Sequence, residues 1–365
     1  MPTDLLYKIG ITLIPNIGVV NGKQLISYCG GVEAVFKENA RALEKIPNIG
    51  SVAIKSIINQ KVLKRAEEEI TFIENNDIQA LFYTDKLFPK RLNNCHDSPI
   101  IIYYKGNCNL NKQRVVAVIG TRRATDYGKD ICREIISHLQ AYNVIIISGL
   151  AYGIDVLSHR TALDYGIPTV GVLGHGLDTL YPSQHKRVAE NMIANGGLIS
   201  EFISKTKPDR ENFPKRNRIV AGMSDAIIVV ESGRKGGAII TADIANSYNR
   251  DVFAVPGRVG DDYSIGCNYL IRTNRAALLE NGSNLSYFMS WEKSDTKVNE
   301  QPKLFIDLSD DEQKIYNCIL EVKEISIDNI SITTNIKPSI VAATVIKLEF
   351  EGLIRAISGK LYRKS

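Results

Sequence analysis

The chain has no apolar run approaching the roughly 18 residues that a bilayer-spanning helix needs, which excludes a helical membrane protein. Its opening stretch, MPTDLLYKIG, carries Asp4 and no long apolar segment, so no secretory leader is expected there. The six cysteines, Cys29, Cys95, Cys108, Cys132, Cys267 and Cys318, form no CxxC pair. That argues against structural zinc and against a disulfide framework, and for idle thiols in a reducing cytoplasm. A Walker A loop, GxxxxGK(S/T), is missing, and GTRRATDYG after the first buried run has the wrong glycine spacing for a dinucleotide fingerprint. The ATPase and nicotinamide-enzyme classes therefore lose their motifs. Ser148, in SGLAYG, is not a GxSxG nucleophile elbow. No metal-ligand spacing stands out. Of the five histidines only His175 falls in a strand-end loop, where a packed or turn-stabilising residue is the alternative to a general base. Excess charge is also small: 45 basic against 40 acidic residues, net +5. That sum does not establish a nucleic-acid partner, and the distribution of charge has to decide.

What is present is ordinary globular material, 44% hydrophobic and 23% charged, over 365 residues, enough for one to three domains and a large core. The stretch around which the rest is arranged is residues 213–257, FPKRNRIVAGMSDAIIVVESGRKGGAIITADIANSYNRDVFAVPG. It opens with the cationic group Lys215, Arg216, Asn217 and Arg218. A buried-strand run over residues 225–231 follows, then the loop SGRKGG, a helix expected from near Thr241, and a second apolar run over 252–255. Strand, loop, helix and strand make one βαβ unit. Its first loop is glycine-rich and cationic, the combination that lets backbone N–H groups and a helix N-terminus approach phosphate.

Residues 1–78 read as helical and contain an echo: IPNIG at residues 14–18 returns at 46–50, each copy leading into a helical pattern. An apolar–Pro–x–apolar–Gly turn between helices resembles the helix-hairpin-helix (SAM-like) module, whose glycine turn offers N–H groups to a DNA phosphate. The alternative is a tight turn between packed helices, and neither copy carries the usual flanking lysine cluster. Residues 80–113 form a connector, with a short strand expected over 100–104.

The central domain, residues 79–290, shows buried-strand runs at 115–119, 144–147, 169–173 and 198–200 before the two in the organising stretch. Asp126 and Asp155 are placed where helix N-caps are expected. Alternating strands and helices imply a Rossmann-like, doubly wound parallel sheet. Right-handed crossovers then gather the strand-end loops at one sheet edge, where such sheets bind ligands. Those loops bring Gly120, Thr121, Arg122 and Arg123, then Ser148 and Gly149, then Lys215, Arg216 and Arg218, and finally Arg234, Lys235, Gly236 and Gly237. They amount to more cations than one nucleotide needs. Consecutive phosphates, as in a nucleic-acid backbone, suit them better. Phe213 and Tyr152 are the candidates to stack on a base. Past residue 281 the signals weaken. Residues 291–302 read as a linker, and 303–365 as three helices and a hairpin through Ser358 and Gly359, a winged-helix pattern. Its third helix offers mainly Lys347 as a cation, so protein docking or packing stands beside DNA binding there.

GTRRAT, SGLAYGID, GHGLDTLYP, FPKRNRIVAGMSDAIIVVE, GGAIITA, VFAVPG and GCNYLI, in this order and spacing, resemble the DprA family, also called Smf. The resemblance covers residues 80–280 and extends more loosely to both ends. It implies a cytoplasmic bacterial protein that binds and protects single-stranded DNA in natural transformation and loads the recombinase RecA onto it. It further implies a homodimer, no membrane partner, no cofactor and no catalysis. The family's DNA-contacting arginine falls on Arg122, and its F-P-x-R-N-R motif on Lys215, Arg216 and Arg218. Two departures are the longer SGRKGG loop and Arg275 where glycine is usual.

Two other functions compete. A nucleotide-cleaving hydrolase needs a positioned carboxylate, for which Asp243 is the local candidate; Asp155 and Asp178 are a further carboxylate pair. A ligand-responsive regulator would need sequence-specific duplex binding by residues 303–365.

Overall fold

The computed structural model describes residues 3–112, 114–292, 308–322, 324–357 and 361–364. From residue 293 the expected linker lies outside the described residues, as do Ser358 and Gly359. The chain forms two compact units, residues 1–294 and 295–365.

The first unit is built on a nine-stranded sheet: β1 (Gln79–Phe82), β2 (Ile101–Gly106), β3 (Val115–Ile119), β4 (Ile145–Ser148), β5 (Thr169–Leu173), β6 (Gly196–Ser200), β7 (Ala226–Val229), β8 (Asp251–Ala254) and β9 (Ala277–Leu278). The order is β1-β2-β6-β5-β4-β3-β7-β8-β9. From β6 to β9 all neighbours are parallel; β2 adds antiparallel to β6, and β1 antiparallel to β2. This is a mixed α/β fold with a mostly parallel sheet.

The continuous apolar strands follow from burial on both faces. Val115, Ala117 and Ile119 point to one face, against Ile219, Val220 and Ala242 of the helices Asn212–Met223 and Gly237–Ser247. Val116 and Val118 point to the other, against Ile135, Ile136 and Ile154. Each such Val or Ile contributes about 1.5–3 kcal/mol, so strand register is firmly specified.

Six N-terminal helices, beginning with Thr3–Leu13 and ending with Leu63–Asn75, share a core that includes Ile9, Leu25 and Ile70 and extends to Ile101 and Tyr103 of β2. The two IPNIG turns are near copies, with Asn16 at φ 63° and Asn48 at φ 62°. They touch reciprocally: Gln24 donates to the Pro47 carbonyl at 2.8 Å, and Asn16 donates to the Ser56 hydroxyl at 3.1 Å. The helical layer is also tied to the loop after β6. Buried Glu69 accepts the Ser204 N–H at 2.9 Å, and Arg65 donates to the Ser204 carbonyl at 2.7 Å.

Local corrections concern helix starts. The helix expected from near Thr241 begins at Gly237, so the glycine loop itself leads into it. Thr125, not Asp126, caps Asp126–Leu139, accepting the Gly128 N–H. Gly153, not Asp155, caps Ile154–Asp164, which frees Asp155 for another role.

The second unit holds helices Asp310–Glu321, Ile327–Thr334 and Pro338–Phe350 and a small sheet, β10 (Ile325–Ser326), β12 (Leu361–Lys364) and β11 (Ile354–Ile357), in that spatial order. Ile315, Ile330, Val341 and Leu348 are central to its core. Lys347 donates to Glu312 at 2.7 Å, so the third helix's main cation is partnered.

Candidate nucleic-acid interface

Strand order locates the site. From β3 the sheet proceeds to β4, β5 and β6 on one side and to β7, β8 and β9 on the other. Loops leaving β3 and β7 therefore diverge, and open sheets bind ligands in the crevice between them. A cleft of about 390 Å³ lies there. Gly120, Thr121, Arg122 and Arg123 line it from β3; Ser232, Gly233, Gly236 and Gly237 line it from β7; Phe213, Arg216 and Asn217 line it from the helix Asn212–Met223.

The loops brace one another. The Thr121 N–H donates to the Glu231 carbonyl at 2.8 Å, and the Ile154 N–H donates to the Thr121 carbonyl at 3.1 Å. Gly153 sits at φ 77°, and a Cβ there would lie 2.2 Å from the Thr121 carbonyl oxygen, so only glycine lets the SGLAYG and GTRR loops approach this closely. Buried Glu231 accepts the Thr125 N–H at 2.9 Å, tying β7's end to the start of the helix Asp126–Leu139. The helix Gly237–Ser247 starts at Gly236 with no side-chain cap and opens onto the cleft through Gly237 and Ala238. The Gly236 and Ile239 N–H groups donate to the Gly233 and Gly236 carbonyls at 3.1 Å, and the N–H groups of Gly237 and Ala238 together with the helix's partial positive charge suit an anion.

Successive helical residues point about 100° apart, so Lys215, Arg216, Asn217 and Arg218 cannot face one way. Lys215 is exposed. Arg216 turns beneath the cleft, 8% exposed, with its guanidinium 3.8 Å from the Asp155 carboxylate. Burial pushes the Asp155 carboxyl up, against the pull of Arg216, and pushes the Arg216 guanidinium down, against the pull of Asp155. Gly149 leaves the space: a Cβ there would lie 1.5 Å from Arg216 Nη1. Arg218 points elsewhere, ion-paired with Glu201 and donating to the Asp97 carbonyl at 2.6 Å. Burial raises the Glu201 carboxyl, with Arg218 and Lys215 opposing.

One wall is aromatic. The Arg122 guanidinium lies 5.9 Å over the Phe213 ring, and Tyr181 lies 6.4 Å from that ring. Tyr152, half-exposed, donates to Gln184 at 2.8 Å.

Gly120, Thr121, Arg122, Arg123, Phe213, Arg216, Asn217, Gly236 and Gly237 are thus brought together. Ser148 and Gly149 are a layer below. Ser148 is fully buried and its hydroxyl donates to the Val118 carbonyl at 2.6 Å, so the hydroxyl expected to face phosphate is spent on the sheet. Arg234 stacks over Tyr269 at 5.9 Å, away from the cleft, and Lys235 does not line it. Asp243 is not at the cleft either; it pairs with Arg275 at 3.0 Å, and Asp178 does not line it. The turn at Arg275, where glycine is usual, is made by Asn274 at φ 55°. Asp155, Ser232, Thr241 and Tyr263 join the lining beyond the expected set. Tyr263 arrives through its carbonyl, which accepts the Ser232 N–H at 2.7 Å, a pairing with no local sequence signal. Among the described residues no group of three or more His, Cys, Asp or Glu is placed to hold a metal, and no helix is long and apolar enough to cross a membrane.

Comparison with known proteins agrees with this architecture. The family model for DNA recombination-mediator protein A matches residues 79–290. Protein Smf of Synechocystis is 34% identical over 277 residues, 75% of this chain and 70% of that protein. The DNA processing protein DprA of Streptococcus pneumoniae is 39% identical over 202 residues, 55% of this chain and 71% of that protein. The solved Streptococcus pneumoniae DprA superposes with a TM-score of 0.67 at 29% identity, covering 79% of this chain and 98% of that one. A Helicobacter pylori DNA processing protein A, solved for its single-stranded DNA binding mode, gives 0.54 at 28% identity over 59% of this chain and 97% of that one. The family model spans more than half the chain and the Synechocystis relative is matched over most of its length, so the chain belongs to the DNA recombination-mediator protein A family.

Proposed function

We propose that this chain binds single-stranded DNA along the β3–β7 crevice, protects the strand during natural transformation and loads the recombinase RecA onto it. One observation carries the reading: a helix N-terminus without a side-chain cap, the cations Arg122 and Arg216, and the aromatic ring of Phe213 share one cleft. Phosphates have donors and charge on one side, and bases have a stacking surface on the other. The Helicobacter pylori relative's single-stranded DNA binding supports it.

In this assignment Gly120, Thr121, Arg122, Arg123, Gly236 and Gly237 hold phosphates. Arg216 and Asn217 form the floor, Lys215 adds charge at the rim and Phe213 stacks. Ser148, Gly149 and Arg218 support that arrangement from behind. The protein works as a cytoplasmic homodimer with three segments: 1–78 helix-hairpin-helix-like, 79–290 Rossmann-like and strand-binding, 303–365 winged-helix. It acts by binding and not by catalysis. The position of Asp243 outside the cleft and the pairing of Asp155 with Arg216 leave a nucleotide hydrolase without a free carboxylate at the site.

The test is binding of a fluorescent oligonucleotide, single-stranded against duplex, across a salt series, for wild type and Arg122→Ala/Lys215→Ala. Single-strand preference is expected, with the variant's log–log salt slope reduced by about 1 per lost phosphate contact. Duplex preference untouched by the variant would move DNA binding to the terminal segments.

A further inference from the structure

We infer that Glu69, in the N-terminal helical layer, is a positioning residue for the crevice: with Arg65 it clamps the segment that leads from β6 into the helix Asn212–Met223, and so sets where Phe213 stands. The inference rests on the single-strand reading above. Three bonds converge on one residue, Ser204. Glu69 Oε1 accepts the Ser204 N–H at 2.9 Å, Glu69 Oε2 accepts the Ser204 hydroxyl at 2.5 Å, and Arg65 donates to the Ser204 carbonyl at 2.7 Å. Arg65 and Glu69 pair with each other at 2.8 Å, and Glu69 is 1% exposed. The next residue, Lys205, stands at φ 68°, left-handed backbone that a lysine rarely adopts, and its ammonium meets Glu68 at 3.2 Å. Strain of this kind persists where the surroundings over-determine it, and it gathers at functional sites.

The clamped turn is tied forward to the crevice. The Thr206 carbonyl accepts the Gly176 N–H at 3.1 Å, and a Cβ on Gly176 would lie 2.4 Å from the Ile203 carbonyl oxygen, so the loop after β5 and the segment after β6 are held together. Phe213 leans on the same β5 loop: a Cβ on Gly174 would lie 3.2 Å from its ring. Only residues 207–211 separate Thr206 from the helix that carries Phe213. A helix of the N-terminal layer thus fixes, at one turn, both supports of a crevice side chain. A buried ion pair adds little stability over a well-packed apolar pair. Its directional bonds fix geometry instead, and here they fix the Ser204 backbone.

The experiment measures single-stranded oligonucleotide binding across a salt series for wild type, Arg65→Met/Glu69→Leu, Phe213→Ala and the triple variant, with urea midpoints alongside. The double variant replaces the ion pair by apolar side chains and frees Ser204, so its midpoint should stay near that of wild type. It should bind about tenfold more weakly, the order of one misplaced base–aromatic stack. Its salt slope should not change, because no phosphate contact is lost. In the Phe213→Ala background the same change should cost nothing further. Undiminished affinity in the folded double variant, a reduced salt slope, or an equal loss with Phe213 already removed overturns the inference while leaving the crevice intact. Absence of single-strand binding by wild type removes the single-strand reading and this one with it. If the double variant does not fold, Glu69→Gln decides, since it keeps an oxygen for the Ser204 N–H and gives up the ion pair. Its loss of affinity should also vanish in the Phe213→Ala background; a loss that persists there, or no loss at all, overturns the inference.

Discussion

Arg216 and Asp155 face each other at 3.8 Å under the floor of the crevice, in space that Gly149 leaves open. Both side chains are about nine-tenths buried. The cation is therefore anchored before any ligand arrives, and its field acts in a low-dielectric setting.

Removing Asp155 should leave that cation buried without its counter-charge. Asp155→Ala is expected to cost about 3–5 kcal/mol, and Asp155→Leu/Arg216→Met much less, because the apolar pair leaves no uncompensated charge. Urea midpoints of the variants measure this. Equal midpoints for wild type and Asp155→Ala would show that the pair carries no such burden.

Lys215 and Arg218 should behave oppositely although only two residues separate them. Lys215→Ala should change stability by no more than about 0.5 kcal/mol and lower the salt slope of DNA binding by about 1. Arg218→Ala strands the buried Glu201 carboxylate and should destabilise by about 3–5 kcal/mol. Unfolding curves and salt titrations on both variants separate the roles. A stable Arg218→Ala with weakened, less salt-sensitive binding would put Arg218 on the DNA instead.

His159 should set a pH limit. Its Nε2–H donates to the Gly149 carbonyl at 2.6 Å, Nδ1 lies 2.7 Å from the Thr169 hydroxyl, and burial pushes the imidazole down from its ordinary 6.5 to about 4. Below 6.5 the unfolded chain takes a proton there and the folded chain does not until about 4. The contribution is intact above that window and is lost as pH falls through it, by about 3 kcal/mol in total. Urea midpoints measured across the window should fall with pH in wild type and stay flatter in His159→Asn; parallel profiles would assign the acid sensitivity to another group.

Much of the fold could be read from the chain. A run such as Val115 to Ile119 has no polar face, so it needs covering on both sides, and a parallel sheet between helices provides that. The shortest strands were beyond such reading: β9 is two apolar residues, Ala277 and Leu278, both exposed and too few to show a period. The site divides in the same way. That glycine-rich and cationic loops meet at one sheet edge follows from the chain alone, because alternating strands and helices with right-handed crossovers leave them nowhere else to go. Which cations face the crevice is set by packing. Helix phase sends Arg216 to Asp155 and Arg218 to Glu201, and Tyr269 draws Arg234 away. Asp155, Glu201 and Tyr269 all lie far from those cations in sequence, and no local pattern records a partner that only packing supplies.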